Sequence, residues 1–176
     1  MGNIIKLTVP AQRQAIESLR AGDIVHMSGT VLTGRDAAHK RMMQLLDQGK
    51  PLPFEIESQA VYYTGPCPAP PGKIIGSCGP TTSSRMDPYT PRLLDLGLKI
   101  MIGKGQRSSE VVEAIRRNGA VYLAAVGGAG ALIAKCVKHS EVIAFGDLGP
   151  EAVYRLIVEE FPLVVAIDSL GNSLFK

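Results

Sequence analysis

The chain has 176 residues, of which 45% are hydrophobic and only 5% aromatic, and its net charge at pH 7 is +3. This length suits one domain with a buried core, and a charged content of 20% is typical of folded rather than disordered proteins. The basic residues are scattered, which excludes the basic stripe of a nucleic-acid-binding protein. We therefore predict a single domain over residues 1–176.

Neither the first residues nor the apolar segments have the pattern of a targeting or membrane sequence. Residues 1–14 lack the basic-then-apolar order of a signal peptide, and Lys6 stands where a myristoylation motif needs Ser or Thr. The apolar run at residues 119–134 has 16 residues, four of them glycine. A membrane helix needs about 20 apolar residues. We expect a cytoplasmic protein that does not bind membranes.

The three cysteines, Cys67, Cys78 and Cys136, are an odd number without close spacing. This disfavours a disulfide framework, and the C-x-x-C pairs of a zinc site are absent. An iron–sulfur cluster held by these three is an open alternative, although cluster motifs usually place their cysteines closer together. We favour three small hydrophobic residues in a reducing compartment.

Strand-like and helix-like segments alternate along the chain. Strands are predicted at residues 4–9, 23–34, 60–65, 73–79, 98–103, 120–128, 141–147 and 163–169. Helices are predicted between them at residues 11–22, 35–49, 87–97, 108–119, 131–138 and 150–160. Several strands are uninterrupted Val, Ile, Leu and Ala runs, which indicates sheets covered on both faces. The predicted fold class is α/β, with a layered arrangement.

The first polar cluster is SGTVLTGRDAAH, in which Arg35 stands at the start of a predicted helix. The free backbone N–H groups of a first helical turn, together with an arginine, make a pocket for an anion. A solvated arginine is the equally weighted alternative.

The second cluster is GPTTSSRMD, residues 79–87, where four hydroxyl residues precede Arg85. A guanidinium suits a planar carboxylate, and the hydroxyls add donors and acceptors. The alternative is an ordinary polar capping loop. Asp87, directly before Pro88, is predicted to cap the next helix rather than to take part in catalysis.

The third cluster is IMIGKGQRSSE, in which Lys104 lies between two glycines directly after a predicted buried strand. Ligands of α/β proteins bind at such strand ends. The spacing of a phosphate-binding P-loop is absent, and a turn lysine is the alternative. Ser108 and Gly119 predict the two ends of the helix that follows.

The fourth cluster, AVGGAGA at residues 125–131, contains G-x-x-G but not the dinucleotide motif G-x-G-x-x-G. We favour a close helix–strand crossing over nucleotide binding. His26, His39 and His139 are scattered and are predicted to be packing or surface residues rather than metal ligands. Only His39 follows Arg35 by one helical turn on the same face.

Taken together and in this order, SGTVLTGRDAAHKRM, residues 62–97 and IGKGQRS resemble the beta subunit, or C-terminal domain, of class I fumarases and L-tartrate dehydratases. The resemblance continues through AVYLAAVGGAGAL and residues 141–175, so it covers nearly the whole chain. Ser84 is a departure, because glycine usually precedes this arginine in the family. If the position needs a positive φ, serine adds a small strain.

The resemblance implies a hydro-lyase that interconverts fumarate and L-malate, and a swivelling β/β/α domain. It also implies a [4Fe–4S] cluster held by three cysteines of a partner alpha subunit, with no metal ligand in this chain. Arg35, Arg85 and Lys104 would bind the carboxylates of a small dicarboxylate substrate, and Thr81 would lie at the reacting carbon as acid/base. Threonine is an unusual proton carrier, so it would need nearby positive charge or would instead orient water.

Other functions are also compatible with the sequence. Tartrate, like fumarate, is a four-carbon dicarboxylate, so an L-tartrate dehydratase beta subunit is the first alternative. A non-enzymatic dicarboxylate-binding module would use the same pocket, and nucleotide binding through residues 125–131 is a third possibility. The chain has anion-binding loops but no evident strong base, as expected of half of a shared active site.

Overall fold

The computed structural model describes residues 3–126 and 128–176. Over these residues the chain forms seven strands: β1 (Ile4–Val9), β2 (Ile24–Thr33), β3 (Ala60–Tyr62), β4 (Ile100–Gly103), β5 (Val121–Ala124), β6 (Val137–Ala144) and β7 (Val153–Ile167). The α-helices are α1 (Arg13–Glu17), α2 (Asp36–Asp47), α3 (Thr90–Asp95), α4 (Ser109–Asn118) and α5 (Gly130–Cys136). Two 3-10 helices lie at Ser83–Met86 and Gly146–Glu151.

Five of the strands close into a ring. The strand order is β1-β2-β3-β4-β5-β7-β6, and β7 also pairs with β2. Neighbours from β2 to β5 are parallel, whereas β7 runs antiparallel to both β5 and β2. β1 extends β2 and β6 extends β7. The sheet is thus a small barrel with helices packed on it, and the predicted α/β class is confirmed.

Strands β3 and β4 are buried on both faces, as uninterrupted apolar runs predict, whereas β6 is largely exposed despite its apolar run, with Val142 50% exposed. In β4, Ile100 and Ile102 belong to a core cluster that draws on all five ring strands. Met101, between them, belongs to a second cluster that includes apolar residues of α2, α3 and α4. All four residues of β4 are buried. In the described ranges, no helix has the length and apolar character that crossing a membrane requires.

Two predicted elements are wrong. Residues 150–160, predicted as a helix, lie mostly in β7, a strand of 15 residues. Its buried residues Val153, Leu156, Val158 and Phe161 recur at intervals of three, two and three residues, which imitates a helical period. These residues form a strand because this part of β7 pairs with β2 on one side and with β6 on the other.

A β-bulge in β7 explains the last of these intervals. Val158 pairs with Gly29 and Phe161 with Met27, so two residues of β7 face one residue of β2. Glu160 takes the positive φ of 53° at this point. Such an extra residue shifts the in-and-out alternation of a strand, and with it the apolar pattern.

The predicted strand at residues 73–79 is a loop that folds back on the proline-rich segment before it. The Cys67 N–H donates to the Ser77 carbonyl at 2.9 Å, and the Gly76 N–H donates to the Cys67 carbonyl at 3.2 Å. A Cβ at Gly76 would lie 2.4 Å from that Cys67 oxygen, so the two backbones touch. The prolines of the preceding segment disfavour regular sheet pairing there. The two segments therefore pair with each other locally and not with the sheet.

Gly29 allows the end of β1 to lie against β2. Its φ is +118°, and a Cβ there would lie 2.0 Å from the Val9 carbonyl oxygen. We expect Gly29→Ala to lower the free energy of unfolding, measured by urea denaturation, by about 3 kcal/mol or more, because backbone strain and overlap add. Gly49→Ala is the control: its φ is +69° but nothing lies within 4 Å, so about 1 kcal/mol is expected. Equal losses in the two variants would contradict this account.

Candidate functional site

The predicted site segments meet where parallel strands end. Arg35 follows β2, Tyr63 follows β3 and Lys104 follows β4, and these three strands are neighbours in the ring. The carboxyl ends of parallel strands open on the same edge of a sheet, where α/β proteins bind ligands. The loop of residues 79–87 is attached to this edge by backbone hydrogen bonds. The Thr81 N–H donates to the Tyr63 carbonyl at 2.7 Å, and the Ser83 N–H donates to the Lys104 carbonyl at 2.9 Å.

Arg35 and Arg85 share one carboxylate, that of Asp36. Arg85 contacts it with two nitrogens, Nε at 2.9 Å from Oδ1 and Nη2 at 2.8 Å from Oδ2. Arg35 Nε lies 3.4 Å from the same Oδ2 and 3.4 Å from Glu151 Oε1. The Arg85 side chain is 51% exposed, so its ion pair is weak enough to exchange with a ligand. The structure thus brings both guanidinium groups to one place.

Lys104 and Thr81 lie on backbone that adjoins Arg85. Lys104 forms an isolated parallel bridge with Thr82, and its side chain is exposed. Thr81, next to that bridge, is half-buried. The four residues predicted to form the site are therefore on segments that hydrogen-bond to one another or share Asp36.

Ser84 does not have the strained conformation considered for it. It lies in the 3-10 helix Ser83–Met86. Among the described non-glycine residues, positive φ values occur at Ser58, Phe145 and Glu160, not at Ser84. The serine therefore adds no left-handed strain beside Arg85.

The prediction that Asp87 caps the helix beginning there is wrong. α3 begins at Thr90 with a proline in its first turn and without a side-chain cap. Asp87 instead binds the 104–108 segment: its Oδ1 lies 2.7 Å from Arg107 Nε, and its Oδ2 accepts the Ser108 N–H at 2.7 Å. A buried guanidinium requires a carboxylate partner, and this requirement outweighs capping. Ser108 itself caps α4 as predicted, accepting from the Val111 N–H.

The Arg107 side chain is buried beneath the site and is 0% exposed. Its Nη2 lies 3.2 Å from the Tyr63 hydroxyl and 2.9 Å from Thr90 Oγ1. The guanidinium lies over two aromatic rings, 5.2 Å from the centroid of Tyr63 and 4.8 Å from that of Tyr122. Burial alone would lower the pKa of Arg107, but Tyr63 and Asp87 hold the pKa above its ordinary value. Arg107 is therefore charged and held in place on every side.

No motif of the sequence indicated a role for Arg107, Tyr63 or Tyr122. One sequence feature does point to the two tyrosines. A tyrosine inside an apolar strand segment brings its hydroxyl into the core, where the hydroxyl needs a hydrogen-bond partner. The Tyr122 hydroxyl lies 2.8 Å from both Ser83 Oγ and the Gly105 carbonyl oxygen. These partners are distant in sequence, so the contacts become visible only in the fold.

His39 is a core residue, as predicted, and it contacts the site. Its Nδ1 lies 2.9 Å from the Arg35 carbonyl oxygen, so Nδ1 carries the hydrogen and donates. The ring packs against Tyr63 and Tyr89, with centroids 5.5 and 5.9 Å away, and its buried Nε2 has no partner among the described residues. Burial lowers the pKa of His39 to about 4, so the imidazole is neutral at pH 7.

The glycine cluster at residues 125–131 is only partly described, because Gly127 lies outside the described residues. A Cβ at Gly130, the first residue of α5, would lie 2.2 Å from Ser77 Oγ and 2.9 Å from the Gly79 nitrogen. At Gly130 the helix thus approaches the loop that leads into residues 79–87, and elsewhere the same helix contacts β7. Close packing explains Gly130 without a nucleotide.

The low pKa of His39 predicts a loss of stability on acidification. An unfolded histidine has a pKa of about 6.5, so below that pH the unfolded chain binds a proton that the folded chain excludes until about pH 4. The His39 contribution to the free energy of unfolding is therefore nearly complete above pH 6.5. By pH 5 this free energy has fallen by about 2 kcal/mol. We expect His39→Phe, which retains a packed ring, to lose less stability between pH 7 and pH 5 than the wild type in urea denaturation.

The exposed His139 provides the control for this measurement. His139→Gln should retain the pH dependence of the wild type. An identical pH dependence in the wild type and in His39→Phe would contradict the assignment to His39.

Comparisons with known proteins identify relatives of this chain. The chain is 41% identical over 152 residues to "Fumarate hydratase class I, anaerobic" of Escherichia coli strain K12, an alignment that covers 85% of the chain and 28% of that protein. It is 36% identical over 174 residues to "Fumarate hydratase 2" of Leishmania major, covering 98% of the chain and 31% of that protein. The chain thus spans less than a third of these relatives.

A relative of similar length is "Putative L(+)-tartrate dehydratase subunit beta" of Methanocaldococcus jannaschii. It is 38% identical over 170 residues, which cover 93% of the chain and 87% of that protein. The family described as Fumarase C-terminus matches residues 2–176. The chain belongs to the Fumarase C-terminus family.

Proposed function

We propose that this chain is the beta part of an iron–sulfur hydro-lyase that hydrates fumarate to L-malate at a site shared with an alpha subunit. The observation that carries the proposal is the convergence of Arg35 and Arg85 on Asp36, beside the segments of Thr81 and Lys104. Relatives named as fumarate hydratases support the reaction class. Another relative, named as the beta subunit of an L(+)-tartrate dehydratase, supports the need for a partner.

The cations are arranged to receive a dicarboxylate. Asp36 shows that one carboxylate fits against both guanidinium groups, and a substrate carboxylate would take over part of these contacts. The cations Arg35, Arg85 and Lys104 outnumber the nearby carboxylates of Asp36 and Glu151. The local charge therefore favours a small anion.

The same cations suit the reaction. Addition of water across the double bond builds negative charge on a carboxylate, and fixed positive groups stabilise that charge best where water is excluded. In this proposal the Thr81 hydroxyl moves the proton at the reacting carbon or orients the water. Positive charge from Arg85 and Lys104 would assist its ionisation.

The cluster implied by the family would supply a Lewis acid for the hydroxyl and one carboxylate. This chain's side chains do not fit as its ligands: among the described residues, no three Cys, His, Asp or Glu side chains are grouped to hold a metal ion. Cys78 is buried while Cys67 is exposed on its loop. We therefore assign the cluster to cysteines of the alpha subunit. We also propose that this chain is a swivelling β/β/α domain that would close over the cluster.

L-tartrate dehydration is the second candidate. It is favoured by the match to a tartrate dehydratase subunit beta, of which the chain covers 87%. Both substrates have four carbons and two carboxylates, so the same cations serve either one. Steady-state kinetics of the reconstituted pair on fumarate and on L-tartrate separate the two, since the true substrate should have much the higher kcat/KM.

Removal of a site cation should abolish most of the activity. We expect Arg35→Ala, Arg85→Ala and Lys104→Ala each to lower kcat/KM for fumarate roughly 100-fold or more, since a charge-assisted contact to the substrate is lost. The assay uses the chain reconstituted anaerobically with its alpha partner. The matched control is Arg92→Ala, because Arg92 also pairs with an aspartate and is 45% exposed. Full activity in both Arg85→Ala and Lys104→Ala would refute the carboxylate-binding assignment.

The role of Thr81 is tested by removing its hydroxyl alone. Thr81→Val should lower kcat by roughly 100-fold or more with a small change in KM, since proton transfer is lost but the cations stay. Thr81→Ser should retain much of the activity. Thr82→Val, at the exposed neighbouring position, is the control. A wild-type kcat in Thr81→Val would exclude both proposed roles of the hydroxyl.

A further inference from the structure

We propose that Arg107 is a positioning residue of the site: it joins the segment that bears Arg85 to the segment that bears Lys104, and so fixes the spacing of these two cations. The inference builds on the proposed function, in which both cations bind one dicarboxylate. The side chain of Arg107 is 0% exposed, so Arg107 acts through its neighbours rather than by touching a ligand.

The first connection is the ion pair with Asp87. Asp87 directly follows the 3-10 helix Ser83–Met86, which contains Arg85, and Arg107 follows Lys104 by three residues. The Arg107 Nε lies 2.7 Å from Asp87 Oδ1, and the Ser108 N–H donates to Oδ2 at 2.7 Å. The carboxyl end of the short helix is thereby attached to the segment after β4.

The second connection holds the opposite end of the same helix. The Tyr122 hydroxyl lies 2.8 Å from both the Gly105 carbonyl and Ser83 Oγ. Because a carbonyl only accepts, Tyr122 donates to Gly105 and accepts from Ser83. The Arg107 guanidinium packs on the Tyr122 ring at 4.8 Å and limits its movement. Arg85 thus lies in a short helix held at both ends.

The third connection reaches the segments of Thr81 and Arg35 through Tyr63. Arg107 Nη2 lies 3.2 Å from the Tyr63 hydroxyl, and the Tyr63 carbonyl accepts the Thr81 N–H at 2.7 Å. The Tyr63 ring meets the His39 ring edge-on at 5.5 Å, and His39 donates to the Arg35 carbonyl at 2.9 Å. The polar contacts around Arg107 therefore converge on the segments that carry the site.

Only arginine satisfies this set of contacts. Its planar group presents five N–H donors in fixed directions and stacks on aromatic rings, whereas a lysine ammonium presents three donors at one point. Arg107→Lys retains the charge opposite Asp87 but cannot reach Tyr63 and Thr90 at once. This variant therefore separates positioning from charge.

The test begins with amide hydrogen exchange of the full chain, which needs no activity. In Arg107→Lys we expect exchange at Thr81 and Ser83 to accelerate about tenfold or more, while exchange at Ile102 in β4 stays unchanged. Arg117→Lys is the control, since Arg117 pairs with Asp95 at an exposed position away from this network. Wild-type exchange at Thr81 and Ser83 would overturn the inference, even if the proposed function were correct.

Kinetics of the chain with its alpha partner then test the consequence. Arg107→Lys should raise KM for fumarate roughly tenfold or more, because misplaced cations bind the dicarboxylate less well. If Arg107 acts through Arg85, Arg107→Lys should add little in an Arg85→Ala background, whereas a purely structural role would give additive losses. Additive losses, or an unchanged KM, would overturn the inference. An inactive wild-type pair would instead refute the proposed function.

Tyr122→Phe provides a second variant if Arg107→Lys does not fold. It removes one hydroxyl and leaves the ring on which Arg107 packs. Faster exchange at Ser83, together with a raised KM, is the expected result, because the amino end of the short helix is released from Gly105. Unchanged exchange and KM in this variant would contradict the second connection and with it the inference.

Discussion

The pairing of β7 with both β5 and β2 is the constraint on which the structure depends. It closes the five strands into a ring and buries both faces of β4. A closed ring also determines where β2, β3 and β4 end, because parallel neighbours finish at the same edge. The segments that bear Arg35 and Lys104 leave from that edge, so the location of the candidate site follows from backbone pairing.

Ion pairs occur at two depths at this edge of the sheet, one set at the surface and one buried. At the surface, Asp36 holds two arginines in partly exposed ion pairs, which the proposed substrate would displace at small cost. Below it, Asp87 and Arg107 form a buried pair that is surrounded by hydroxyls and rings. A pair of the second kind is expensive to break, since either partner alone would be an uncompensated buried charge. The outer pairs are therefore suited to binding, and the inner pair to holding the binding groups in place.

Much of the fold was predictable because it depends on local patterns. Seven of the predicted strands and five of the predicted helices overlap an observed element of the same kind, and the α4 caps, Ser108 and Gly119, are where their chemistry indicated. The failures have tertiary causes. Residues 150–160 have a nearly helical spacing of buried residues, but their backbone pairs with β2 and β6 as a strand. Residues 73–79 had strand-like composition, but they close on Cys67 rather than on the sheet.

The sequence by itself determined the α/β class, the polar segments that contain Arg35, Thr81, Arg85 and Lys104, and the family they resemble. Residue type and neighbouring elements carry that information locally. Only the tertiary structure decided that Asp36 joins two arginines, that Asp87 binds Arg107 instead of capping a helix, and that His39 is neutral. These outcomes depend on burial and on contacts between residues far apart in the chain. A buried charge selects its partner by the free energy of desolvation, which is set only when the fold has excluded water.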